Sequence, residues 1–266
     1  MAGRTRNPGQ SVLGRALAIL AVFEHSTGRK SLSDIAHETC LPPSTCLRLL
    51  REMETWGALQ RDPHGRYQIG MRLWELGQNA GRQLREIARP LLQDAFSLTQ
   101  ETCHLAIREG AEALYIDRIY GSKRVPQASR VGGRLPLHAT AVGKVILAFE
   151  DAWIREAILT NSLESRTAYT HINPDALRRE LHLVRERGFA TTSEEVRLGS
   201  ASIAVPILRL DGAVIGALGI VVSSDHEPVM ERHLPVLRGV ARQIEARTLG
   251  VPMTARTTRR PSSPRR

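Results

Sequence analysis

The sequence predicts a mixed α+β fold, in which three short helices and a hairpin precede a longer domain of helices and strands. Apolar residues recur at three- and four-residue spacing from Ser11 onward, which is typical of amphipathic helices. Further along, Asp211-Gly212 separates two strand-like segments and is a strong hairpin signal. With 266 residues, 42% of them hydrophobic, the chain is long enough for two globular domains.

The first two helices are indicated by an apolar stripe and by a capping motif. The stripe starts directly after Ser11 and continues to Phe23. Ser31 and Asp34 have the spacing of a capping box, in which each side chain accepts a hydrogen bond from the other residue's backbone. A short second helix is therefore predicted to begin after Ser31.

A third helix and a hairpin complete the N-terminal unit. Pro42-Pro43 fits the first turn of a helix, because the amide hydrogens that proline lacks have no helical partner there. This helix should run to about Trp56 and end at Gly57. The segment Ala58–Ile69 then reads as two short strands around the turn Asp62-Pro63-His64-Gly65. Three helices followed by a hairpin predict a winged helix-turn-helix.

The rest of the chain alternates between helical and strand-like patterns. A helix from Met71 to roughly Gln83 is expected to join the two halves. Beyond it we predict helices ending near Thr99 and spanning Ala139–Phe149, Pro174–Arg187 and Glu227–Thr248, and strands at Thr102–Arg108, Ala113–Ile119, Ser202–Leu210 and Ala213–Val222. Strands paired by hairpins with helices between them favour an α+β domain around an antiparallel sheet.

Composition restricts the class of protein more than it reveals the function. The formal charge is +10, but seven of these charges lie in residues 1–10 and 251–266, so net charge alone does not identify a DNA-binding fold. No apolar run is long enough for a membrane span, and the N-terminus lacks a secretory signal, so a cytoplasmic protein without membrane contact is expected. Cys40, Cys46 and Cys103 are expected to be reduced thiols.

Three segments resemble one known family in the right order and at the right intervals. LPPSTCLRLLREMETWGAL followed by RYQIG is similar to the helix-turn-helix and wing of IclR-type transcription regulators. RLPLHATAVGKVILA and SIAVPILRLDGAVIGALGI resemble the signature segments of their effector-binding domain. The resemblance implies a DNA-binding domain, a linker helix, a GAF-like ligand-sensing domain, and homodimers that often pair into tetramers. We therefore divide the chain into a disordered arm (1–10), a winged helix-turn-helix (11–70), a linker helix (71–83), an effector-binding domain (84–250) and a disordered basic tail (251–266).

The tail is interpreted as a solvated extension, with a nonspecific electrostatic grip on DNA as the less favoured alternative. Its Pro, Ser and Arg residues include nothing apolar to bury.

The predicted DNA-binding residues are those that the third helix turns outward, together with two arginines of the wing. Cys46, Leu49, Leu50 and Met53 take the inward positions by spacing. The outward residues are Ser44 and Thr45, suited to phosphate oxygens, Leu47, suited to a thymine methyl, and Arg48 and Arg51; in the wing they are Arg61 and Arg66. The alternative for Arg48 and Arg51 is a solvated helix face with ion pairs to Glu52 or Glu54. Because one such helix reads few base pairs, a dimer on a palindromic operator is expected.

The predicted effector-binding residues open one helix and lie on two facing strands. Thr140, Ala141 and Gly143 begin a helix with small residues, which lets backbone amides approach a carboxylate. The alternative is a glycine in a tightly packed helix and a solvated Lys144. The resemblance adds Ser202, Gly219 and Val221 on the strands, where family members that sense small acids carry more hydroxyl groups. This difference indicates an apolar cavity for an aromatic acid or a lactone.

Two other function classes remain open on the sequence. One is a GAF-like enzyme using His104, His138 and Glu195 as acid-base residues, although no nucleophile motif accompanies them. The other is an adaptor whose winged helix binds protein. His37, Cys40 and Cys46 cluster in the sequence, but no fourth ligand follows at zinc spacing, so neither a metal nor a cofactor is expected.

Overall fold

The computed structural model describes residues 11–24, 28–77, 82–121 and 129–249. Contacts divide the chain into two compact units, residues 1–80 and 81–266. The predicted disordered arm and basic tail lie outside the described residues. Across the ranges given above, every helix is either too short or too polar to cross a membrane.

The N-terminal unit is the predicted winged helix-turn-helix. Its elements are α1 (Val12–Ala21), α2 (Leu32–Thr39), α3 (Pro43–Trp56), β1 (Leu59–Arg61), β2 (Tyr67–Ile69) and α4 (Met71–Gly77). β1 and β2 pair antiparallel and form the wing. The three helices and the wing share one apolar core, whose fully buried members include Ile19, Ile35, Cys46, Leu50 and Tyr67.

Local signals in the sequence set the ends of these helices. Ser31 and Asp34 form the predicted capping box at the start of α2. Gly57 ends α3 with φ of 87°, a left-handed conformation that glycine adopts without a steric penalty. The predicted linker 71–83 covers α4, residues outside the described ranges, and the first two residues of the next helix.

The C-terminal unit is built on a six-stranded antiparallel sheet. Its strands are β3 (Thr102–Glu109), β4 (Glu112–Ile119), β5 (Arg134–Pro136), β6 (Ala190–Ser193), β7 (Ser200–Leu208) and β8 (Val214–Ser223), in the order β5-β4-β3-β8-β7-β6. Its helices are α5 (Arg82–Thr99), α6 (Ala141–Phe149), α7 (Ala152–Leu159), α8 (Pro174–Arg187) and α9 (Leu234–Thr248). The predicted hairpins β3–β4 and β7–β8 are joined at the centre of the sheet by pairing of β3 with β8.

The two faces of this sheet carry different side chains. Large residues such as Ile203 and Ile220 face α5 and α9. The other face carries small residues, Ala106, Ala204 and Ala217, and packs against α6, α7 and α8. Small side chains let a helix approach the sheet closely, and residues 141–148 of α6 are all buried.

Four parts of the C-terminal unit differ from the sequence prediction. The predicted helix from Glu227 to Thr248 begins as a 3₁₀ segment, Ser224–His233, and becomes α-helical only at Leu234. Pro228 lies inside that segment and cannot donate a helical hydrogen bond. The short strands β5 and β6 were not predicted, because three or four residues carry too little periodicity to be recognised. The helix α7 was not predicted either.

Candidate functional site

Helix α3 presents one buried face and one polar face. Cys46, Leu49 and Leu50 are buried, as predicted, and Met53 is half-buried against the same core. Ser44, Arg48 and Arg51 are exposed, whereas Thr45 and Leu47 are partly covered. The helix therefore offers the predicted residues along one accessible side, which is the arrangement that major-groove reading requires.

The two outward arginines of α3 differ in their partners. Arg48 donates a hydrogen bond to the Glu52 carboxylate at 2.9 Å, and both side chains are more than half exposed. Within the described ranges, the Arg51 side chain has no such partner. The local ion pair considered above thus exists for Arg48. An exposed pair of this kind contributes little, so Arg48 can leave Glu52 at small cost.

Asp62 organises the cations of the wing. Its carboxylate accepts a hydrogen bond from Arg29 at 3.0 Å and lies 3.5 Å from the Arg66 guanidinium. The backbone N–H of Arg66 donates to it at 2.9 Å and is the main reason why the pKa of Asp62 lies below its usual range. Arg61 lies over the Tyr67 ring, with 5.5 Å between the guanidinium carbon and the ring centroid. Arg29 is a further cation at the wing that sequence reasoning missed, because it precedes α2 and reaches Asp62 only in the fold.

The C-terminal unit contains a cavity where the start of α6 faces the sheet. The empty space in and around it is about 540 Å³, which includes solvent at its open mouth. Four residues directly opposite one another in register cross the sheet beneath it: Thr102 on β3, Val221 on β8, Ser202 on β7 and Thr192 on β6. The hydroxyl groups of Thr192 and Ser202 lie 2.6 Å apart and form one hydrogen bond. The cavity thus has a polar side on β6 and β7 beside an apolar centre at Val221.

Most of the predicted effector-binding residues line this cavity. They are Thr140, Ala141, Ser202, Gly219 and Val221. Thr140 caps α6, since its hydroxyl accepts from the backbone N–H of Gly143 at 3.1 Å. The first amides of a helix have no partner within it, and at α6 they belong to Ala141 and Val142, both of which line the cavity.

The two glycines of the predicted set have packing roles. Gly143 is not among the lining residues; a Cβ there would collide with the backbone of Leu137 and with the Thr140 hydroxyl. Gly219 lines the cavity, but a Cβ there would lie 2.9 Å from Cγ1 of Val142. The alternative of a tightly packed glycine thus applies to Gly143. Lys144, in contrast, is fully buried rather than solvated.

Several lining residues escaped the sequence analysis as ligand contacts. They are His104, Tyr115, Ser129, Thr192 and Glu195. Nε2 of His104 lies 3.1 Å from the Ser129 hydroxyl, and its ring packs edge-on against Tyr115. Burial, with a smaller effect of nearby Arg118, lowers the pKa of His104 to about 3. The imidazole is therefore a neutral polar group in the cavity wall.

A buried ion network lies behind the cavity. The Lys144 ammonium donates to Glu195 at 2.6 Å and to Glu180 at 2.7 Å, and Glu180 also bonds Nδ1 of His171 at 2.9 Å. His171, Glu180 and Glu195 are close enough together to hold a metal ion. Because Lys144 already supplies the cation between the two carboxylates, this arrangement does not call for a metal. His138, by contrast, bonds the carbonyl of Glu164 and does not line the cavity.

Comparison with known proteins identifies the chain. Residues 12–63 match the IclR helix-turn-helix domain, and residues 79–246 match the C-terminal domain of bacterial IclR transcriptional regulators. The chain belongs to the IclR family. It is a DNA-binding transcriptional regulator with an effector domain, and not an enzyme, which removes the acid-base interpretation of His104, His138 and Glu195.

Relatives of known name and structure support this assignment over most of the chain. The transcriptional regulator XynR of Escherichia coli is 36% identical over 77% of this chain and 83% of its own length. The E. coli transcriptional repressor AllR is 32% identical over 80% of each chain. An IclR homologue from Microbacterium hydrocarbonoxydans, crystallised with 4-hydroxybenzoate, has a TM-score of 0.84 at 33% identity, covering 89% of this chain and 98% of its own. The Thermotoga maritima IclR has a TM-score of 0.73 at 32% identity, covering 88% and 97%.

Proposed function

We propose that this IclR-type regulator binds a palindromic operator as a homodimer, and that a small organic acid bound in the cavity changes its affinity for that operator. An aromatic acid is favoured, with a lactone as the alternative. The observation that carries the proposal is the cavity itself, which combines the start of α6 with hydroxyl groups and an apolar strand face. The bound 4-hydroxybenzoate of the M. hydrocarbonoxydans homologue supports the same class of effector.

The chemistry of the cavity walls suits an acid with an apolar body. The Ala141 and Val142 amides lie at the positive end of the α6 dipole, where a carboxylate is stabilised. Val221 supplies apolar surface for a ring, and Ser202 and Thr192 supply hydroxyls at its side. A carboxylate end and an apolar body describe a monocyclic aromatic acid better than they describe a small keto acid.

Operator reading is assigned to α3 and the wing. Arg48 and Arg51 are placed to reach base edges, Ser44 and Thr45 to contact phosphates, and Leu47 to meet a thymine methyl. Arg61, Arg66 and the additional Arg29 are assigned to the DNA backbone or minor groove beside the wing.

Dimerisation is assigned to the apolar side chains that the N-terminal unit leaves exposed. Val12, Leu13 and Leu17 on α1, and Met71, Trp74 and Leu76 on α4, are each more than half exposed. A second copy that covers these faces would remove a substantial apolar area from water. Light scattering at micromolar concentration tests this: a monomeric mass with and without operator would refute it, and a tetramer is the further state expected of the family.

The direction of regulation is proposed as repression, in line with the name of AllR. Because it binds the chromosome of a bacterial cell in this proposal, the protein is expected to act in the cytoplasm. The test is a mobility-shift titration on the DNA upstream of the chain's own gene, repeated with benzoate and 4-hydroxybenzoate. We expect specific binding whose affinity changes several-fold with one of the acids. An operator affinity that neither acid changes would contradict the proposed effector class.

A pair of serine variants ties this response to the cavity. Ser202→Ala removes a hydroxyl that lines it, whereas Ser193→Ala removes a hydroxyl on β6 that bonds Glu227 instead. We expect Ser202→Ala to weaken acid binding roughly two- to ten-fold, the usual value of one hydrogen bond, and Ser193→Ala to leave it unchanged. Equal behaviour of the two variants would place the effector elsewhere.

A further inference from the structure

One oxygen atom in the cavity wall stands out by its hydrogen bonding. The Glu195 side chain lines the cavity and is 4% exposed. Its Oε1 accepts from Lys144, but its Oε2 is buried and has no hydrogen-bond partner among the described residues. A buried carboxylate oxygen without a donor is destabilising, so an oxygen left in this state on a residue that lines a cavity points to a partner that the protein does not itself supply.

The network around Lys144 explains why Oε2 of Glu195 is the oxygen left over. Glu180 and Glu195 together have four carboxylate oxygens. Lys144 donates to one oxygen of each residue, and His171 bonds the second oxygen of Glu180. Burial raises the pKa of Glu195, but the Lys144 ammonium 2.6 Å away opposes this rise and favours the carboxylate. The remaining oxygen therefore favours a donor rather than an acceptor, and it belongs to the residue that lines the cavity.

We infer that Glu195 is a specificity determinant that selects effectors carrying a hydrogen-bond donor, a hydroxyl or an amino group, in addition to their carboxylate. This inference rests on the proposed function and narrows its ligand class. A donor on the ring of an aromatic acid bonds Oε2, which gives the carboxylate oxygen its missing partner. An acid of the same shape without a donor leaves that oxygen buried and unpaired, and is rejected for that reason.

The ligand series on the wild-type chain is the first test. Calorimetric titration of the full chain compares benzoate and 4-methoxybenzoate, which lack a donor on the ring, with 4-aminobenzoate and the 2-, 3- and 4-hydroxybenzoates. We expect at least one donor-bearing acid to bind about ten-fold or more tightly than benzoate, because hydrogen bonds to charged groups are among the stronger ones. Equal affinities across the series would overturn the inference.

Matched variants then assign the preference to one side chain. In Glu195→Gln the amide oxygen stays toward Lys144, so an NH₂ group replaces Oε2 and faces the ligand's donor. We expect the preference for hydroxylated or aminated acids to fall about ten-fold. The affinity for 4-methoxybenzoate should rise relative to the affinity for those acids. Glu180→Gln alters the same Lys144 network without touching the cavity and should keep the wild-type preference.

Folding is checked by circular dichroism and operator binding. Should Glu195→Gln be unstable, Glu195→Asp retains the charge beside Lys144 and withdraws the oxygen from the cavity, so it too should lower the preference. An unchanged preference in the Glu195 variants, or the same loss in Glu180→Gln, would overturn the assignment. If protein that binds the operator binds none of the acids, the proposed effector class fails together with this inference. If benzoate binds as tightly as the acids that carry a ring donor, only this inference fails.

Discussion

The two units of the chain assemble their functional residues in opposite ways. In the N-terminal unit, one helix and the adjoining wing supply nearly all of the DNA-binding candidates, and most of these side chains are exposed. In the C-terminal unit, the cavity takes its walls from β3, β4, α6, β6, β7 and β8, and most of its polar groups are buried. Charged groups at the first surface are screened by water, whereas those behind the cavity must be paired within the protein. The same substitution should therefore cost far more in the second unit than in the first.

The largest expected effect compares two lysine ion pairs, one in each unit. Lys144→Met leaves the buried Glu195 and the partly buried Glu180 carboxylates without their cation, and should lower the free energy of unfolding by about 3–5 kcal/mol. Lys30→Met removes a partly exposed pair with Glu38 and should cost less than about 1 kcal/mol. Urea unfolding followed by circular dichroism measures both. Equal losses of unfolding free energy in the two variants would contradict the difference between the two units.

The next effect concerns recognition rather than stability. Arg48→Ala should weaken specific operator binding by about 1–3 kcal/mol, the value of a bidentate contact to a base, and change binding to a random duplex less. Its exposed bond to Glu52 contributes little to the fold, so the melting temperature should hardly move. Fluorescence anisotropy on both duplexes is the measurement. Losses of the same size on the two would reduce Arg48 to a phosphate contact.

A pH titration examines the buried imidazole of the cavity. The pKa of His104 is about 3 in the folded chain, below its unfolded value, so between these two values the unfolded chain binds more protons. Stability should therefore fall as pH falls below about 6.5, by roughly 1 kcal/mol from His104 alone on reaching about pH 5.5. Unfolding curves of His104→Gln should show a weaker decline over this window. An identical pH dependence of variant and wild type would mean that His104 is accessible to protons when folded.

The smallest effect is expected at the exposed ion pair of α3. Glu52→Gln removes the negative charge of the acceptor that lies 2.9 Å from Arg48, and should change the free energy of unfolding by no more than about 0.5 kcal/mol. Held less firmly by a neutral amide, Arg48 should bind specific DNA slightly more tightly. A large loss of stability in this variant would show that α3 depends on its surface charges, contrary to the contrast drawn above.

The sequence predicted more of the structure and site of the first unit than of the second, and the reason is physical. The capping box at Ser31, the stop at Gly57 and the stripe of α3 are local signals, each contained within one element. The pairing of β3 with β8, which places His104 opposite Gly219, joins segments far apart in the sequence and has no local signature. Glu195 likewise pairs in the fold with the fully buried Lys144, 51 residues away in the sequence.

The family motifs partly compensated for this limit. The resemblance led to Ser202, Gly219 and Val221, which line the same cavity as Thr140 and Ala141 from the helix start. The small residues of that helix start also led to Gly143, whose role in the structure is close packing against Leu137. A sequence motif thus marks residues that lie near one another. The structure is needed to distinguish residues that line the cavity from residues that pack the helix.

The central claim is that the cavity and the α3 surface are thermodynamically coupled. The most direct test titrates 4-hydroxybenzoate calorimetrically into the free protein and into the protein saturated with operator, and measures operator affinity with and without the acid. Linkage requires the same factor in both directions, and typical couplings correspond to about 5- to 150-fold. We expect equal factors in the wild-type chain and a reduced response in Ser202→Ala. Acid binding that is identical with and without operator would contradict the account.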